Sequence, residues 1–80
     1  MLCFNKRLKE LRTSKGLSQQ ALADKIGVSK SSINMYERGE REPSISMLFT
    51  LADLFEVDLN YLLGYTPSNK SNKSPFAAEP

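Results

Sequence analysis

The chain has 80 residues, with 11 Lys and Arg against 9 Asp and Glu, no His and one Cys, which suits one small domain and excludes a framework of intrachain disulfides. Most metal sites and most Ser/His or Cys/His nucleophile pairs require side chains that this composition lacks, so we expect no enzyme, no metal and no other cofactor. No apolar run has the length that crosses a bilayer, and a single cysteine is typical of a reducing compartment, so we expect a cytoplasmic protein that does not enter a membrane.

The small net charge of +2 conceals a division along the chain. Residues 1–41 hold nine Lys and Arg against four acids, a balance of +5, whereas residues 42–65 hold four acids and no base, a balance of −4. Residues 66–80 add two Lys and one Glu, a balance of +1. A basic part beside an acidic part is typical of a protein that turns one face towards a polyanion. Random scatter of surface charge is the alternative.

Apolar residues recur at intervals of three and four up to residue 64, a spacing that predicts amphipathic helices and no strand. Capping residues and glycine stops divide this pattern into five predicted helices, near residues 4–15, 18–26, 29–38, 44–56 and 58–64. The predicted caps are Ser18, Ser29, Ser44 and Asp58. The longest apolar stripe, in the fourth helix, contains Ile45, Leu48, Leu51, Ala52 and Phe55. The predicted fold is therefore all-α, a compact five-helix bundle.

The character of the sequence changes after residue 65. Residues 1–65 are predicted to form one folded domain, and residues 66–80, which are rich in Ser, Asn, Lys and Pro, are predicted to be a disordered polar tail. Such a tail is a plain terminus, the start of a linker, or a segment that folds on a partner.

The second and third predicted helices are joined by a turn that fits a helix-turn-helix over residues 19–38. Ala23 is small enough to let two crossing helices approach, and Gly27 can adopt the positive φ of a tight turn. Ile33 supplies the apolar side chain beneath the third helix. A helical hairpin without a ligand is the alternative interpretation.

The side of the third helix that faces away from Ile33 is polar and basic. In this motif the first turn of the third helix enters the major groove, where Lys, Ser and Asn can hydrogen-bond to base edges and Met can touch a thymine methyl group. The predicted base contacts are Lys30, Ser31, Asn34 and Met35. The predicted phosphate contacts are Gln19, Ser29, Arg38 and Arg41. Taken one at a time, each of these residues could equally be a solvated polar side chain.

Four longer stretches of the sequence are typical of one known family, and they are Leu17-Ser18-Gln19-Gln20-Ala21-Leu22-Ala23, Gly27-Val28-Ser29, Ile33-Asn34-Met35-Tyr36-Glu37-Arg38-Gly39 and Glu42-Pro43-Ser44. With them the sequence resembles the lambda-repressor-like (XRE, Cro/CI-type) helix-turn-helix proteins. The similarity covers about residues 4–65. It implies Gln19 at a phosphate, Lys30, Ser31 and Met35 at bases, and Asn34 at a base or the backbone.

The function that this resemblance implies is sequence-specific regulation of transcription, which we interpret as repression. The protein would bind double-stranded DNA as a homodimer at a pseudo-palindromic operator, and no small-molecule ligand is indicated. An antitoxin, or a module whose main partner is another protein, is the alternative.

The resemblance also implies contacts within and between chains. The family's counterparts of Arg12 and Glu37 form an ion pair between the first and third helices, so we expect a buried structural pair there. Where Glu56 stands, family members often have Gly or Asn, so we expect this turn to differ, because Glu is strained at positive φ.

Apolar side chains beyond the core stripe are candidates for a dimer interface. Leu54 stands where family members often have a small or polar residue. The predicted interface candidates are Met47, Phe49, Leu54, Tyr61 and Tyr65. Ordinary exposed apolar residues are the alternative.

Overall fold

The computed structural model describes residues 4–64, which form five helices and, within that range, no strand. The helices are α1 (Phe4–Ser14), α2 (Gln19–Ile26), α3 (Lys30–Arg38), α4 (Ile45–Phe55) and α5 (Leu59–Leu63). Every helix lies within one residue of its predicted bounds, so the prediction of an all-α, five-helix fold is confirmed. None of these helices is long and apolar enough to cross a membrane. Residue Tyr65 and the predicted tail over residues 66–80 lie outside the described residues.

The helices meet around one hydrophobic core. Its five largest fully buried side chains come one from each helix, and they are Leu8, Leu22, Ile33, Leu51 and Leu62. Burying one such side chain contributes roughly 1.5–3 kcal/mol. Each helix, including the short α5, therefore packs into the same hydrophobic core. Burial of Ile33 determines which side of α3 faces inward.

Serine side chains begin three of the helices. Ser18, Ser29 and Ser44 have extended backbones, and each hydroxyl oxygen accepts the N–H three residues later at 2.9–3.1 Å. A cap of this kind contributes about 1 kcal/mol. Asp58 occupies the same position before α5, but its side chain makes no capping hydrogen bond.

The connection between α2 and α3 is the tight turn of a helix-turn-helix. Gly27 ends α2 in the left-handed conformation, with φ 76°. The N–H groups of Gly27 and Val28 both donate to the carbonyl oxygen of Ala23, at 2.8 and 3.0 Å. Ala23 itself is fully buried, so a larger side chain there would push the packed helices apart. The assignment of the motif to α2 and α3 is confirmed.

The end of α4 corrects one expectation. Glu56 adopts the left-handed conformation, with φ 58° and ψ 44°, and the N–H of Val57 donates to the carbonyl oxygen of Ala52 at 3.0 Å. The turn is thus the ordinary left-handed helix ending, formed with a glutamate in the position that glycine favours. Because Glu56 is exposed, its side chain gains little packing in return for a backbone strain of roughly 1–2 kcal/mol.

We expect Glu56→Gly to stabilise the domain by about 0.5–1 kcal/mol, because glycine adopts this conformation without a Cβ clash but starts from a more flexible unfolded chain. Thermal unfolding should show a midpoint higher by a few degrees, roughly 2–8 °C. Glu56→Ala is the matched control, since it removes the same charge and keeps the Cβ. An equal rise in both variants would assign the gain to the charge at the helix end and not to the backbone.

Candidate nucleic-acid interface

The outer side of α3 carries all four predicted base contacts. Ile33 and Tyr36 point into the core, whereas Lys30 and Ser31 are exposed and Asn34 is half-exposed. Met35 is half-exposed too. At 3.6 residues per turn these four positions, together with Arg38, span an arc of about 140° on the side away from the core. An open depression between α2 and α3 is lined by Gln19, Lys30, Ser31 and Asn34. The structure therefore brings the predicted base contacts together on one accessible face.

The hydroxyl of Ser29 is already used within the protein. It accepts the N–H of Ser32 at 3.0 Å and donates its own proton to the hydroxyl of Ser32 at 3.0 Å. A phosphate oxygen only accepts hydrogen bonds, so Ser29 would have to release Ser32 before it could donate to a phosphate. Ser29 orients the first turn of α3, and its phosphate contact stays a prediction.

The side chain of Gln19 also points towards the protein. Its Nε2 donates to Oε1 of Glu37 at 3.1 Å and lies 3.5 Å from Oδ1 of Asn34. In this arrangement the Nε2 group of Gln19 is turned inward, and the predicted phosphate contact of this residue stays a prediction. What remains at the start of α2 is the helix N-terminus, where the first backbone N–H groups have no partner within the helix and favour an anion.

A buried ion pair joins α1 to α3 beneath this face. Nε and Nη2 of Arg12 donate to the two carboxylate oxygens of Glu37 at 2.6 and 3.1 Å, in the bidentate geometry of a guanidinium and a carboxylate. The third donor, Nη1 of Arg12, reaches the carbonyl oxygen of Leu17 at 2.8 Å. The side chains of Arg12 and Glu37 are only 10% and 4% exposed. The carboxylate of Glu37 is therefore neutralised by Arg12 and shielded from solvent.

Two exposed arginines lie at the C-terminal end of α3 and shortly after it. Arg38 is exposed and forms an ion pair with Glu40, with 2.9 Å between Nη2 and Oε2. Both side chains are well exposed, at 59% and 48%, so the pair is screened by solvent and contributes at most about 1 kcal/mol. Arg41 is exposed beside a small cavity of about 140 Å³ near the end of α3. Arg38 is thus exposed at the C-terminal end of α3, and Arg41 is exposed three residues after it.

The predicted dimer patch on α4 separates into two flanks. Met47 and Leu54 are half-buried and pack against the core, whereas Phe49 is 57% exposed. Helical geometry puts Phe49 about 140–160° around the helix from those two side chains. Ile45, which the sequence assigned to the core stripe, is 69% exposed and lies one turn before Phe49. One flank therefore presents Met47 and Leu54, and the other presents Ile45 and Phe49.

A contact between α1 and α5 was not predicted from the sequence. The guanidinium carbon of Arg7 lies 4.0 Å from the centre of the Tyr61 ring, and Nη1 of Arg7 donates to the carbonyl oxygen of Tyr61 at 2.8 Å. The cation stacks on the aromatic face and also caps a carbonyl at the end of a short helix. Tyr61 is therefore held in a fixed, half-exposed position, while Tyr65 lies outside the described residues.

The arrangement of two short helices around a glycine turn agrees with comparison to known proteins. A model of the helix-turn-helix family HTH_3 matches residues 8–62, which contain α2, α3 and α4. The chain belongs to this helix-turn-helix family. The resemblance to the lambda-repressor-like, XRE-type proteins is thereby confirmed.

Named members of the helix-turn-helix family extend this result. YqaE of Bacillus subtilis, an uncharacterized HTH-type transcriptional regulator, is 37% identical over 76 residues, which are 95% of this chain and 62% of the relative. The HTH-type transcriptional regulator AnsR of the same organism is 48% identical over 58 residues, which are 72% of this chain and 50% of the relative. The crystal structure of the restriction-modification controller protein C.AhdI from Aeromonas hydrophila superposes with a TM-score of 0.69 and 39% identity, covering 76% of this chain and 92% of that one. The chain spans between half and two thirds of the length of these two curated relatives.

Proposed function

We propose that this chain is a transcriptional repressor that binds a pseudo-palindromic operator as a dimer, with α3 in the major groove of double-stranded DNA. The observation that carries the proposal is the accessible face formed by the polar Lys30, Ser31 and Asn34 and the apolar Met35. It lies opposite the core side of α3 and beside the N-terminus of α2. The names of the relatives, which are HTH-type transcriptional regulators, support the same class of function. Repression would follow from occupation of a promoter.

Each part of the face has a suitable ligand on DNA. Lys30 can donate to O6 or N7 of guanine, and Met35 can contact a thymine methyl group. Arg38, Arg41 and the N-terminus of α2 suit phosphates on either side of the groove. One recognition helix covers too few base pairs to specify a site, so two copies related by a two-fold axis would read half-sites about 10 bp apart.

A binding selection on randomised DNA tests this function. Wild-type protein should select an inverted repeat, Lys30→Ala should lose preference by roughly 1–3 kcal/mol at one base pair of each half-site, and Arg41→Ala should weaken all sequences alike. Base contacts discriminate among sequences and phosphate contacts do not. If wild type selects no sequence, the proposed function is wrong; if Lys30→Ala keeps the preference and Arg41→Ala changes it, the two roles are reversed.

For the dimer we propose the flank of α4 that presents Met47 and Leu54, together with Tyr61 and Tyr65. Leu54→Asp is expected to yield a monomer with weaker operator binding, and light scattering gives the mass. Because Leu54 also touches the core, thermal melting must show that the variant is still folded. Phe49→Asp on the other flank is the matched control and should keep the dimer mass. A monomer from Phe49→Asp instead would move the interface to that flank.

The flank formed by Ile45 and Phe49 favours a second candidate, a contact with another protein. Both side chains are exposed, and two exposed acids flank them in the sequence, Glu42 three residues before Ile45 and Asp53 one helical turn after Phe49. A two-fold interface of this surface with itself would bring like charges together, so a basic partner fits better than a second copy. If the candidate is correct, Phe49→Ser keeps dimer mass and operator affinity but loses regulation of a reporter gene. Unchanged regulation would eliminate it.

A further inference from the structure

A small cavity lies at the C-terminal end of α3, beside the first turn of α1. Its volume is about 140 Å³, and the residues that line it are Phe4, Asn5, Tyr36, Gly39, Arg41 and Glu42. A Cβ added at Gly39 would lie 3.6 Å from Nδ2 of Asn5, so the amide of Asn5 lies against this end of α3. The lining comes from two separate parts of the chain, which is why no single stretch of the sequence indicated a site here.

Four polar side chains line this cavity without a partner among residues 4–64. No hydrogen bond or ion pair within that range joins them to another residue, and they are Asn5, Tyr36, Arg41 and Glu42. The hydroxyl of Tyr36 is the strongest case, because only 5% of this residue is exposed. Buried hydroxyl groups in proteins are nearly always hydrogen-bonded. The cavity therefore suits a ligand that supplies the partner.

The charges at the cavity select the class of ligand. Arg41 offers the donors of a guanidinium, Glu42 offers the acceptors of a carboxylate, and the two are not paired with each other. A simple anion would suit one of them and be repelled by the other, so a small zwitterion fits better. The rings of Phe4 and Tyr36 add apolar surface. The volume of about 140 Å³ is close to that of a cavity that holds benzene, about 150 Å³, so the ligand is small.

We propose that this cavity binds an α-amino acid with a short side chain. The carboxylate of the ligand pairs with Arg41 and accepts the hydroxyl proton of Tyr36 in a hydrogen bond, while its ammonium group pairs with Glu42. The short side chain lies against Phe4. A consequence for regulation rests on the proposed function, in which Arg41 binds a DNA phosphate. Ligand and operator then compete for one guanidinium, and each lowers the affinity of the other by the same factor.

An NMR titration of the full chain without DNA tests the site. The probes are L-alanine, L-valine and L-threonine, and the backbone amide signals of Gly39 and Arg41 should shift and saturate. L-Valinamide lacks the carboxylate and N-acetyl-L-valine lacks the ammonium group, so each should bind at least roughly tenfold more weakly than L-valine. L-Tryptophan is too large for the cavity and should cause no saturable shift.

Two conservative variants identify the side chains that bind the ligand. Tyr36→Phe removes one hydroxyl and should weaken L-valine binding roughly tenfold. Its melting temperature should equal or exceed that of wild type, because the group removed is buried without a partner in the chain. Glu42→Gln keeps the side-chain volume and should weaken binding by at least roughly tenfold. Glu40→Gln is the matched control, since this neighbouring acid does not line the cavity, and should bind as wild type does.

The site is overturned if the Gly39 and Arg41 amides do not shift, or if L-valinamide and N-acetyl-L-valine bind as well as L-valine. It is also overturned if Tyr36→Phe and Glu42→Gln both bind L-valine like wild type. These outcomes do not depend on DNA, so they are distinguishable from a failure of the proposed function.

Measurements on operator DNA test the competition. Saturating L-valine should make the slope of log affinity against log salt shallower by about 1.8, because two Arg41 contacts are lost from each dimer. Operator binding by Arg41→Ala should not respond to L-valine. If L-valine binds the protein but leaves the operator affinity of wild type unchanged, the regulatory role is wrong. Absence of any selected DNA sequence with wild type would instead overturn the proposed function.

Discussion

Glu37→Ala and Arg12→Ala are each expected to unfold the domain or nearly unfold it, although neither residue belongs to the hydrophobic core. Each substitution leaves one charge buried without its partner, at a cost of roughly 3–5 kcal/mol. The side chains are 4% and 10% exposed, so water does not easily replace the lost partner. A domain of this size has a total stability near the lower end of the usual 5–15 kcal/mol.

The double substitution Arg12→Met with Glu37→Leu should recover much of this loss, because apolar side chains of similar volume need no partner. Recovery should be incomplete, since the carbonyl oxygen of Leu17 and Nε2 of Gln19 lose their hydrogen bonds, at roughly 1 kcal/mol each. Thermal melts of the single and double variants complete the cycle.

The exposed pair Arg38 and Glu40 supplies the control for that cycle. It joins the same residue types at 2.9 Å but lies in solvent, so Glu40→Ala should change stability by less than about 1 kcal/mol. If the Glu37 and Arg12 variants melt like wild type and their effects simply add, the buried pair has no structural role.

Affinity for operator DNA is expected to fall roughly a hundredfold when salt is raised from about 50 to about 200 mM. In the proposed dimer, Arg38 and Arg41 of two subunits place four guanidinium groups at phosphates. Release of their counterions gives a slope of about −3.6 in a plot of log affinity against log salt. Fluorescence anisotropy on labelled operator measures this slope.

Substitution of one arginine identifies the source of the salt dependence. Arg41→Ala should make the slope shallower by about 1.8, because two charges are removed from each dimer. Lys25→Ala is the control, since this exposed lysine lies at the far end of α2 from the proposed interface. The proposed phosphate contacts would be contradicted if operator affinity did not change over this range of salt. They would also be contradicted if Arg41→Ala and Lys25→Ala changed the slope equally.

Helix positions could be predicted from the sequence because their determinants are local. Ser18, Ser29 and Ser44 each bond the N–H three residues later, and Gly27 needs only its own positive φ, so a short window contains the whole interaction. Glu56 shows the limit of such local rules, because the packing of α4 and α5 holds a left-handed turn that the residue itself disfavours.

Hydrogen bonds between helices were less predictable. The inward turn of the Gln19 amide depends on Glu37, which is 18 residues away, and the contact of Arg7 with Tyr61 joins residues 54 apart. No spacing rule relates such positions. Ile45 was misassigned for a different reason: it continues the apolar stripe by number, but it lies in the first turn of α4, beyond the end of the core.

Interference footprinting with dimethyl sulfate most directly tests the central claim that α3 reads the major groove. The reagent methylates guanine at N7 in the major groove and adenine at N3 in the minor groove, so one experiment reports on both grooves. Methylated guanine N7 should block binding in two half-sites about 10 bp apart, while methylated adenine N3 in the same half-sites should not. Interference by adenine N3 alone, or by guanines in a single unpaired half-site, would contradict a dimer with α3 in the major groove.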